Sequence, residues 1–433
     1  MKKVLIITYY WPPTGGVGVQ RWLKFSKYLR NFGWEPVIYT VLNPGGTETD
    51  SSTLNDIPEN ALVLKEKIWE PYAFYNKLTG KSKNEKIATG FLNENKRQSV
   101  LQKMAVWLRG NFFIPDARMF FIKPSVRYLS AFLASEKIDA IVSTGTPHSM
   151  HLIALALKKK FNLPWLADFR DSWRLNDYYN KLMLTRFADA RHKKLERNVL
   201  ENADAITTVS PFLKKYFDQL GFENTEVITN GFDSADYAPE EKGINEYFTV
   251  CHTGSLNNDR NHEALWAALN ELCTENPAFR AKLQFMQIGH TDFEVRKSIE
   301  QHYLTQYCHI LKHTTHDEVV KHQNNAGLLL LIINNTPDAK GRITYKLFEY
   351  LASGNPILCI GPVDGDAAAI IKDSGCGFTA DYYDKNGIKT YLSDIFQKYL
   401  YNQPVSKHNH INHYKMDFLT GKIAAILDRI SGK

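Results

Sequence analysis

The stretch GRITYKLFEYLASG, residues 341–354, places a single carboxylate, Glu349, within an apolar helical pattern. Lys346 lies three residues earlier, so the two side chains share one face of the helix predicted at 343–352. An exposed ion pair is one interpretation of that spacing. The helix follows the apolar run at 326–333, whose length is typical of a buried strand, so we favour a binding function at the end of that strand. The connecting loop adds Asn335 and Asp338 as further candidate binding residues.

A glycine-rich turn follows the first predicted strand, in TYYWPPTGGVGVQRW. The candidate phosphate or acceptor contacts in this turn are Gly15, Gly16, Gly18 and Arg21. Bare backbone amides at a helix N-terminus are suited to an anion or a sugar. A dinucleotide-binding fingerprint is excluded, because Arg21 occupies the third glycine position and the second strand lacks a ribose-binding acid. A tight turn without a ligand is the alternative.

The second half of the chain repeats this strand, turn and helix arrangement in CHTGSLNNDRNHEAL. Gly254 and Ser255 permit close approach of a ligand to the backbone, and Arg260 is predicted near a helix start, where a diphosphate is favoured. Gly289 marks the end of another strand in the same predicted sheet. Each turn is a weak signal by itself, but together they are predicted to line one edge of the sheet.

Two further strand ends in the first half carry polar side chains. His148 follows the strand in STGTPHSMHL, where it is able to contact a ligand or to be an ordinary buried histidine. The segment PWLADFRDSW places Asp168, Arg170 and Asp171 directly after a buried strand. These three residues either bind substrate on the acceptor side or form a structural ion pair, and the sequence does not decide between the two.

Two parallel sheets are needed to bring these residues together. Short β-branched runs alternate with helical patterns from KVLIIT to EVITNG, and a second alternation begins at YFTVCHTG. The predicted fold class is α/β, with two Rossmann-like doubly wound domains facing across a cleft. We place the first domain at 1–238 and the second at 239–411. The segment 412–433 is predicted as a helix that packs back on the first domain.

Positive charge is concentrated in one part of the chain. The whole sequence has 433 residues and a net charge of +7, whereas 65–127 holds 13 Lys or Arg against 5 Asp or Glu. Aromatic residues are interleaved with these charges, and a helix is predicted at about 98–109. We interpret 65–127 as an insertion in the first domain that suits an anionic membrane surface. An ordinary solvated helical face is the alternative.

Other sequence features limit the location and the ligands. The apolar runs are too short to cross a bilayer, and no cleavable leader is recognised at the N-terminus, so we expect a cytoplasmic protein. The segment KHNHINHYK has irregular histidine spacing, so no metal is expected there. The sequence predicts no nucleic-acid partner and no cofactor.

The segments PPTGGVGVQR, DFRDSW, VITNGFD, HTGSL and KLFEYLASGNPIL, in this order, resemble family 4 glycosyltransferases of the GT-B fold. The resemblance spans nearly the whole chain. It implies that Glu349 binds the ribose of a nucleotide sugar and that His148 contacts the donor sugar. Arg260 and Lys346 are then the candidates that stabilise the departing diphosphate.

This sequence departs from the family pattern at two places. Ser255 stands where the family has a phosphate-binding arginine, and Arg260 stands where it has a lysine. Gly341 replaces the first of a pair of glutamates that lie eight residues apart, the one that contacts the donor sugar. We therefore expect Asn335, Asp338 or loop amides to replace that contact, and Lys346 to supply the missing charge.

The resemblance implies a retaining, metal-independent transfer of a glycosyl unit from a nucleotide diphosphate sugar to an acceptor hydroxyl. The KLFEYLA type resembles bacterial enzymes of surface-polysaccharide synthesis, which implies a saccharide or lipid-linked saccharide acceptor. Peripheral binding to the inner face of the membrane is the corresponding location. A sugar nucleotide 2-epimerase and a non-catalytic nucleotide-sugar-binding scaffold are the alternative functions.

Overall fold

The computed structural model describes residues 1–45, 49–69, 100–175, 179–237, 246–311, 314–403 and 409–432. The chain forms two compact units. Unit 1 contains Met1–Val209, Leu213–Thr229 and Leu419–Lys433. Unit 2 contains Ser210–Phe212 and Asn230–Phe418. The predicted boundary at residues 238 and 239 falls in 238–245, which lies outside the described residues, and the change of unit comes earlier, after Thr229.

Unit 1 contains a seven-stranded parallel sheet with the strand order β3-β2-β1-β4-β5-β6-β7. The strands are β1 (Lys2–Ile7), β2 (Trp34–Val41), β3 (Leu62–Glu66), β4 (Ala140–Gly145), β5 (Trp165–Phe169), β6 (Ala205–Thr208) and β7 (Thr225–Val227). Nearly every residue of the central strands β1, β4 and β5 is buried, which matches their continuous apolar runs. The strand β3 is not predicted from the sequence, because β3 holds no fully buried residue.

The helices of unit 1 follow its strands or connect them. They are α1 (Val17–Leu29), α2 (Val100–Phe112), α3 (Met119–Ser135), α4 (Ser149–Phe161), α5 (Arg186–Asn202) and most of α6 (Pro211–Gln219). The helix predicted at about 98–109 corresponds to α2. The part of the predicted insertion at 70–99 lies outside the described residues.

Unit 2 contains a six-stranded parallel sheet with the strand order β10-β9-β8-β11-β12-β13. The strands are β8 (Phe248–Thr253), β9 (Leu283–Ile288), β10 (Cys308–Leu311), β11 (Leu328–Ile332), β12 (Ile357–Ile360) and β13 (Gly377–Ala380). The helices are α7 (Glu263–Glu275), α8 (Pro277–Lys282), α9 (Phe293–Gln301), α10 (His316–Asn324), α11 (Tyr345–Ser353), α12 (Asp366–Ser374) and α13 (Lys385–Leu400).

The last helix, α14 (Met416–Ile430), has its residues from Leu419 onward in unit 1. There Asp428 accepts a hydrogen bond from Lys2, and Arg429 forms an ion pair with Glu226. A helix is therefore present in 412–433, and most of it belongs to unit 1.

Both sheets reverse their strand order at an inner pair of strands, β1 beside β4 in unit 1 and β8 beside β11 in unit 2. The connections on either side of such a point run in opposite directions, which leaves a crevice at the carboxyl ends of the strands, where ligands of this fold class bind. The prediction of two Rossmann-like doubly wound sheets is confirmed. No helix within the described residues combines the length and the hydropathy needed to cross a bilayer.

Candidate functional site

Two glycines form the backbone of the candidate site in unit 2. Gly254 follows β8 with a φ of +96°, and Gly289 follows β9 with a φ of +128°, and side chains rarely adopt either conformation. A Cβ at Gly289 would lie 2.6 Å from the Gly254 carbonyl oxygen. A Cβ at Gly254 would lie 2.7 Å from Nζ of Lys346. The absence of both side chains lets the lysine amine lie directly against the turn after β8.

Two buried polar side chains fix the peptide that follows Gly254. Nε2 of Gln287 donates to the Gly254 carbonyl oxygen at 2.8 Å, and the Gln287 Oε1 lies 2.8 Å from Nδ1 of His252. Since the carbonyl and the next N–H of a trans peptide point in opposite directions, the amide of Ser255 is turned away from Gln287. This arrangement presents one oriented N–H donor at the end of β8.

Arg260 and Lys346 bring two positive charges to this turn. Arg260 donates from Nε to Asn334 Oδ1 at 2.6 Å and from Nη1 to the Ser255 carbonyl oxygen at 2.7 Å. Lys346 forms no ion pair or hydrogen bond within the described part of the chain. Burial lowers the pKa of Lys346 to about 7, and the charge of Arg260 adds to that lowering, while Glu349 opposes it. Burial also lowers the pKa of Arg260.

Two half-buried cations are costly unless an anion joins them, and here Arg260 bonds to amide oxygens while Lys346 has no acceptor among the described residues. The pair is therefore a candidate anion-binding site. Arg260 lies in a short 3-10 turn at Asn258–Arg260, and α7 begins only at Glu263. Arg260 thus lies near the start of α7, in the short turn that precedes it, and its position depends on its side-chain hydrogen bonds.

Glu349 is half-buried on α11 and is held at one of its two oxygens. Nε2 of Gln323 donates to Glu349 Oε2 at 3.2 Å, and Glu349 Oε1 accepts no hydrogen bond from a described residue. Gln323 is fully buried, and its Oε1 accepts a hydrogen bond from the Tyr237 hydroxyl at 3.3 Å. Its Nε2 also lies 3.4 Å from Thr253 Oγ1. Gln323 thus fixes one edge of the carboxylate and leaves the other edge available to a ligand.

The loop before α11 differs from the sequence prediction. Asp338 forms an ion pair with Arg342 at 3.1 Å and accepts from the Thr336 hydroxyl at 2.8 Å, so its carboxylate is engaged locally rather than presented to a sugar. Asn335 is exposed and stays a prediction. A Cβ at Gly341 would lie 2.4 Å from the ring of Phe212. A glutamate therefore does not fit at 341 without displacement of that ring.

The glycine-rich turn of unit 1 contacts the residues that follow β4 and β5. Gly16, with a φ of +92°, precedes α1. Gly18 accepts a hydrogen bond from Arg170 Nη1 at 3.1 Å, and a Cβ at this position would lie 3.0 Å from the same nitrogen. The Thr146 hydroxyl donates to Asp171 at 2.8 Å. Gly15 lies in the same turn and is half-buried. These residues form one polar edge at the β1/β4 reversal.

Asp168 and Arg21 are not part of that edge, and the sequence prediction for both is corrected here. Their ion pair, at 2.8 Å, is almost completely buried, with side-chain exposures of 0% and 1%. The carboxylate of Asp168 also accepts hydrogen bonds from side chains of neighbouring elements, namely those of Trp22, Thr144 and Thr207. Burial raises the pKa of Asp168, but Arg21 and these donors hold it below its ordinary value. The pair is structural.

His148 lies at the end of β4, as predicted, but it is buried, with an exposed fraction of 2%. Its ring stacks on Trp173, with centroids 4.5 Å apart and an interplanar angle of 9°. Neither ring nitrogen has a hydrogen-bond partner within the described residues, and the same holds for Nε2 of His151. Burial lowers the pKa of His148 to about 4. The imidazole is therefore neutral at pH 7 and has two unused polar atoms.

We expect His148→Phe to make folding stability less dependent on pH. Between pH 6.5 and 4 the unfolded chain binds a proton at His148 that the folded chain excludes, so the free energy of unfolding falls as the pH is lowered through that range. The variant should reduce the stability difference between pH 7 and pH 5 by about 1–2 kcal/mol. Urea unfolding at the two pH values measures this difference. An unchanged difference would show that His148 accepts its proton freely in the folded state.

Several residues of the candidate site were not recognised from the sequence. Gln323, Gln287 and His252 are each fully buried polar residues on apolar elements. The burial of Gln323 was predictable from the helical pattern, because Gln323 lies three residues after the buried Val320 and therefore on the apolar face of α10. Phe212 had no such signal, since its contact with Gly341 joins distant parts of the sequence.

Comparison with solved structures shows the fold of the whole chain. A glycosyltransferase from Rickettsia africae aligns with a TM-score of 0.63 at 12% identity, over 100% of this chain and 99% of that chain. The HepE protein of Anabaena, solved with UDP and glucose, aligns with a TM-score of 0.61 at 15% identity, over 99% and 100%. A putative UDP-N-acetylglucosamine 2-epimerase from Listeria monocytogenes aligns with a TM-score of 0.56 at 11% identity, over 99% and 96%. At these identities the likeness concerns the fold alone.

The two sheets and their strand orders are those of the GT-B fold. Residues 92–236 match the model of Glycosyltransferase Family 4. This match supports the prediction of the family and of a glycosyltransferase. No curated protein sequence matches the chain.

Proposed function

We propose that the protein transfers a glycosyl unit from a nucleotide diphosphate sugar to an acceptor hydroxyl, and that unit 2 binds the donor. One observation carries this proposal. Arg260 and Lys346 lie together at the turn after β8 without a carboxylate that neutralises Lys346. A diphosphate is the chemical group that a guanidinium, an ammonium and an oriented backbone amide complement best.

The chemistry of the donor assigns a role to each charge. Cleavage of the glycosidic bond to a nucleoside diphosphate places developing negative charge on the departing phosphate oxygen. Arg260 and Lys346 stabilise that charge more strongly in the transition state than in the bound substrate. Two cationic side chains support a metal-independent reaction, in which they supply the positive charge. Retention at the anomeric carbon is proposed from the family resemblance.

Glu349 is proposed to bind the ribose. An ionised carboxylate accepts hydrogen bonds from two neighbouring hydroxyls, and Gln323 holds it from the side that a ligand does not use. UDP and glucose occur together in the structure of HepE, which supports a nucleotide-sugar donor for this chain. The proposal does not specify the base or the sugar of the donor. The chain has Gly341 where the family has a sugar-binding glutamate, and the ring of Phe212 lies beside that position.

Glu349→Ala should abolish discrimination between ribose and 2′-deoxyribose. We expect the wild-type protein to bind UDP or GDP about 10–150-fold more tightly than the 2′-deoxy nucleotide, because a hydrogen bond to a charged group contributes about 1.5–3 kcal/mol. The ratio should fall close to one in Glu349→Ala. Calorimetric titration with each nucleotide and its 2′-deoxy analogue gives this ratio. A ratio unchanged by Glu349→Ala would contradict the ribose assignment.

Gln323→Leu should reduce the same ratio without removing the carboxylate. Leucine has a similar volume but donates no hydrogen bond to Glu349, so the carboxylate is no longer held in one orientation. We expect the discrimination to fall about threefold to tenfold, a loss typical of one hydrogen bond. A purely structural role for Gln323 would weaken UDP and 2′-deoxy-UDP binding equally and leave the ratio unchanged.

The acceptor is proposed to bind at the polar edge of unit 1, beside Gly18, Arg170 and Asp171. The proposed acceptor is a saccharide or lipid-linked saccharide used in surface-polysaccharide synthesis. Two of these residues carry charge and are partly exposed at the β1/β4 reversal, which is where the fold class binds ligands. The contact of His148 with the donor sugar, which the family resemblance implies, stays a prediction.

Unit 1 is also proposed to dock on an anionic membrane at the inner face. Large apolar side chains are exposed on and beside α2 and α3, and they are Trp69, Met104, Trp107, Phe112 and Phe120. Trp69 packs edge-to-face on Phe120 at 5.0 Å, so some of these exposed rings are adjacent. Basic residues lie among them, including Lys103 and Arg109. Aromatic and basic side chains together favour an interface with anionic lipid.

Sedimentation with liposomes tests the docking proposal. We expect Trp69→Ser with Phe120→Ser to reduce recovery on vesicles of phosphatidylglycerol and phosphatidylethanolamine several-fold. The matched control is Phe293→Ser with Tyr383→Ser, which removes two similarly exposed rings from unit 2. Equal recovery of the two double variants would end the proposal.

Nucleotide release tests the catalytic proposal. The protein is incubated with UDP-sugars and GDP-sugars, with and without lipid-linked acceptors, and both the free nucleotide and the remaining sugar are identified. Glycosyl transfer predicts nucleotide release that increases with acceptor and an extended acceptor as product. Epimerised nucleotide sugar, or binding without turnover under every acceptor condition, would contradict it.

A further inference from the structure

A surface groove in unit 1 lies between α3 and α4, away from the carboxyl ends of the strands. Its volume is about 430 Å³, within the range of small-molecule sites. Ile122, Val126 and Ala156 give it an apolar lining. The first two are one helical turn apart on α3, so this lining is a continuous strip rather than isolated side chains.

The rim of the groove is positively charged. Lys123, Arg127 and Lys160 line it, all three are exposed, and none of them forms an ion pair with a described residue. The neighbouring Lys158, by contrast, pairs with Asp204 at 2.5 Å. Among the described residues, no carboxylate lines the groove. Three cations around one concave surface raise the local concentration of anions and favour a ligand with negative charge.

The groove also contains one unsatisfied polar side chain. Ser130 lies one helical turn beyond Val126, its exposed fraction is 9%, and its hydroxyl has no hydrogen-bond partner in the described part of the chain. A buried hydroxyl without a hydrogen-bond partner is uncommon in proteins. A ligand oxygen bound in the groove would give the Ser130 hydroxyl such a partner.

We propose that this groove binds the headgroup of an anionic phospholipid, with the phosphate at the rim and the first part of an acyl chain on the apolar strip. The apolar strip and the volume both exceed what an inorganic phosphate needs. A nucleotide is disfavoured because no aromatic side chain lines the groove to stack on a base. The inference deepens the membrane part of the proposed function and is independent of the donor site in unit 2.

A soluble lipid separates binding in the groove from docking on a bilayer. Dihexanoylphosphatidic acid, kept below its micelle concentration, is titrated into the full chain by calorimetry. Inorganic phosphate and dihexanoylphosphatidylcholine are titrated in parallel. We expect the phosphatidic acid to bind at least about tenfold more tightly than either, because only it combines excess negative charge with an acyl chain.

Three variants test the named residues. The rim variant, Lys123→Gln with Arg127→Gln and Lys160→Gln, should bind the phosphatidic acid at least about tenfold more weakly. The matched control removes three exposed cations of α5 that form no ion pair with a described residue, through Arg186→Gln, Arg191→Gln and Lys194→Gln, and should change affinity less than about twofold. Ala156→Leu keeps every charge but fills the groove, and should weaken binding about fivefold or more.

Each outcome decides the proposal. Equal losses in the rim and control variants would mean that net charge alone attracts the lipid, and the groove would be rejected. Unchanged affinity in Ala156→Leu, or inorganic phosphate binding as tightly as the lipid, would reject it as well. Lipid binding without nucleotide-sugar turnover would refute the proposed transfer alone, whereas turnover without lipid binding would refute only the groove.

Discussion

Lys346→Met is expected to lower kcat for nucleotide-sugar cleavage about 10²–10³-fold, the loss typical of removing one preorganised charge or donor at a developing anion. The amine lies against the turn at Gly254, and Arg260 is the other cation at that turn. The effect should appear mainly in kcat, since the charge matters most when the phosphate leaves. Steady-state kinetics with a UDP-sugar or GDP-sugar measures it.

The same variant should change the pH dependence of nucleotide binding. With the pKa of Lys346 near 7 in the free protein, raising the pH above 7 removes the charge that the diphosphate needs. We expect the affinity of the wild-type protein for UDP or GDP to fall by up to about tenfold per pH unit between pH 7 and 9. In Lys346→Met this dependence should be absent.

Loss of the lysine should also stabilise the protein without ligand. The folded-state pKa of Lys346 lies below its unfolded value of 10.5, so between pH 7 and 10.5 the unfolded chain binds more protons and stability rises with pH. At pH 7, Lys346→Met should therefore raise Tm, by about 2–4 °C for each kcal/mol of burial cost that the substitution removes.

Lys297→Met is the matched control for all three measurements, because this lysine is half-exposed on α9 and its contact with Glu294 is 3.8 Å long. It should leave kcat, the pH dependence and Tm unchanged. If Lys346→Met lowered Tm and left kcat near the wild-type value, Lys346 would be a structural residue rather than a phosphate ligand.

Asp168→Asn is expected to lower the free energy of unfolding by about 3–5 kcal/mol, because it leaves the Arg21 charge buried without a counter-ion. The asparagine amide also carries two hydrogens of its own. They face N–H and O–H groups that donate to the Asp168 carboxylate in the wild-type protein, including the Trp22 indole. Urea unfolding gives the change directly. In Asp171→Asn, where the side chain is 56% exposed, the expected change is below about 1 kcal/mol.

A double variant separates charge from packing at this site. Arg21→Met combined with Asp168→Asn removes both charges, so it should be less destabilised than the sum of the two single variants. Strict additivity of the single variants would contradict a coupled buried ion pair. If Asp168→Asn unfolded with the same free energy as the wild-type protein, Asp168 would again be a candidate acceptor ligand.

Much of the fold follows from local patterns in the sequence. The apolar runs at β8 and β11 are separated by helical patterns, and that alternation predicts a parallel sheet without further information. Gly254 is predicted to permit close approach and Gly289 to mark a strand end, and the positive φ values of both agree with the choice of glycine. β3 was not predicted, because its residues are only partly buried and carry a weaker alternation.

The contacts of the candidate site were less accessible to prediction. Arg21 and Asp168 are 147 residues apart in the sequence, and no periodicity relates them. Gln323 and Glu349 lie on different helices, so the hydrogen bond between them depends on how α10 and α11 pack. Sequence patterns define the face on which a side chain lies, but the partner on that face depends on tertiary packing.

The most direct test is a crystal structure of the protein soaked with UDP and, separately, with GDP. The proposed donor site predicts the diphosphate in contact with Lys346 and Arg260 and the ribose hydroxyls in contact with Glu349. A nucleotide bound with its phosphates away from these cations, or with its ribose away from Glu349, would contradict the account.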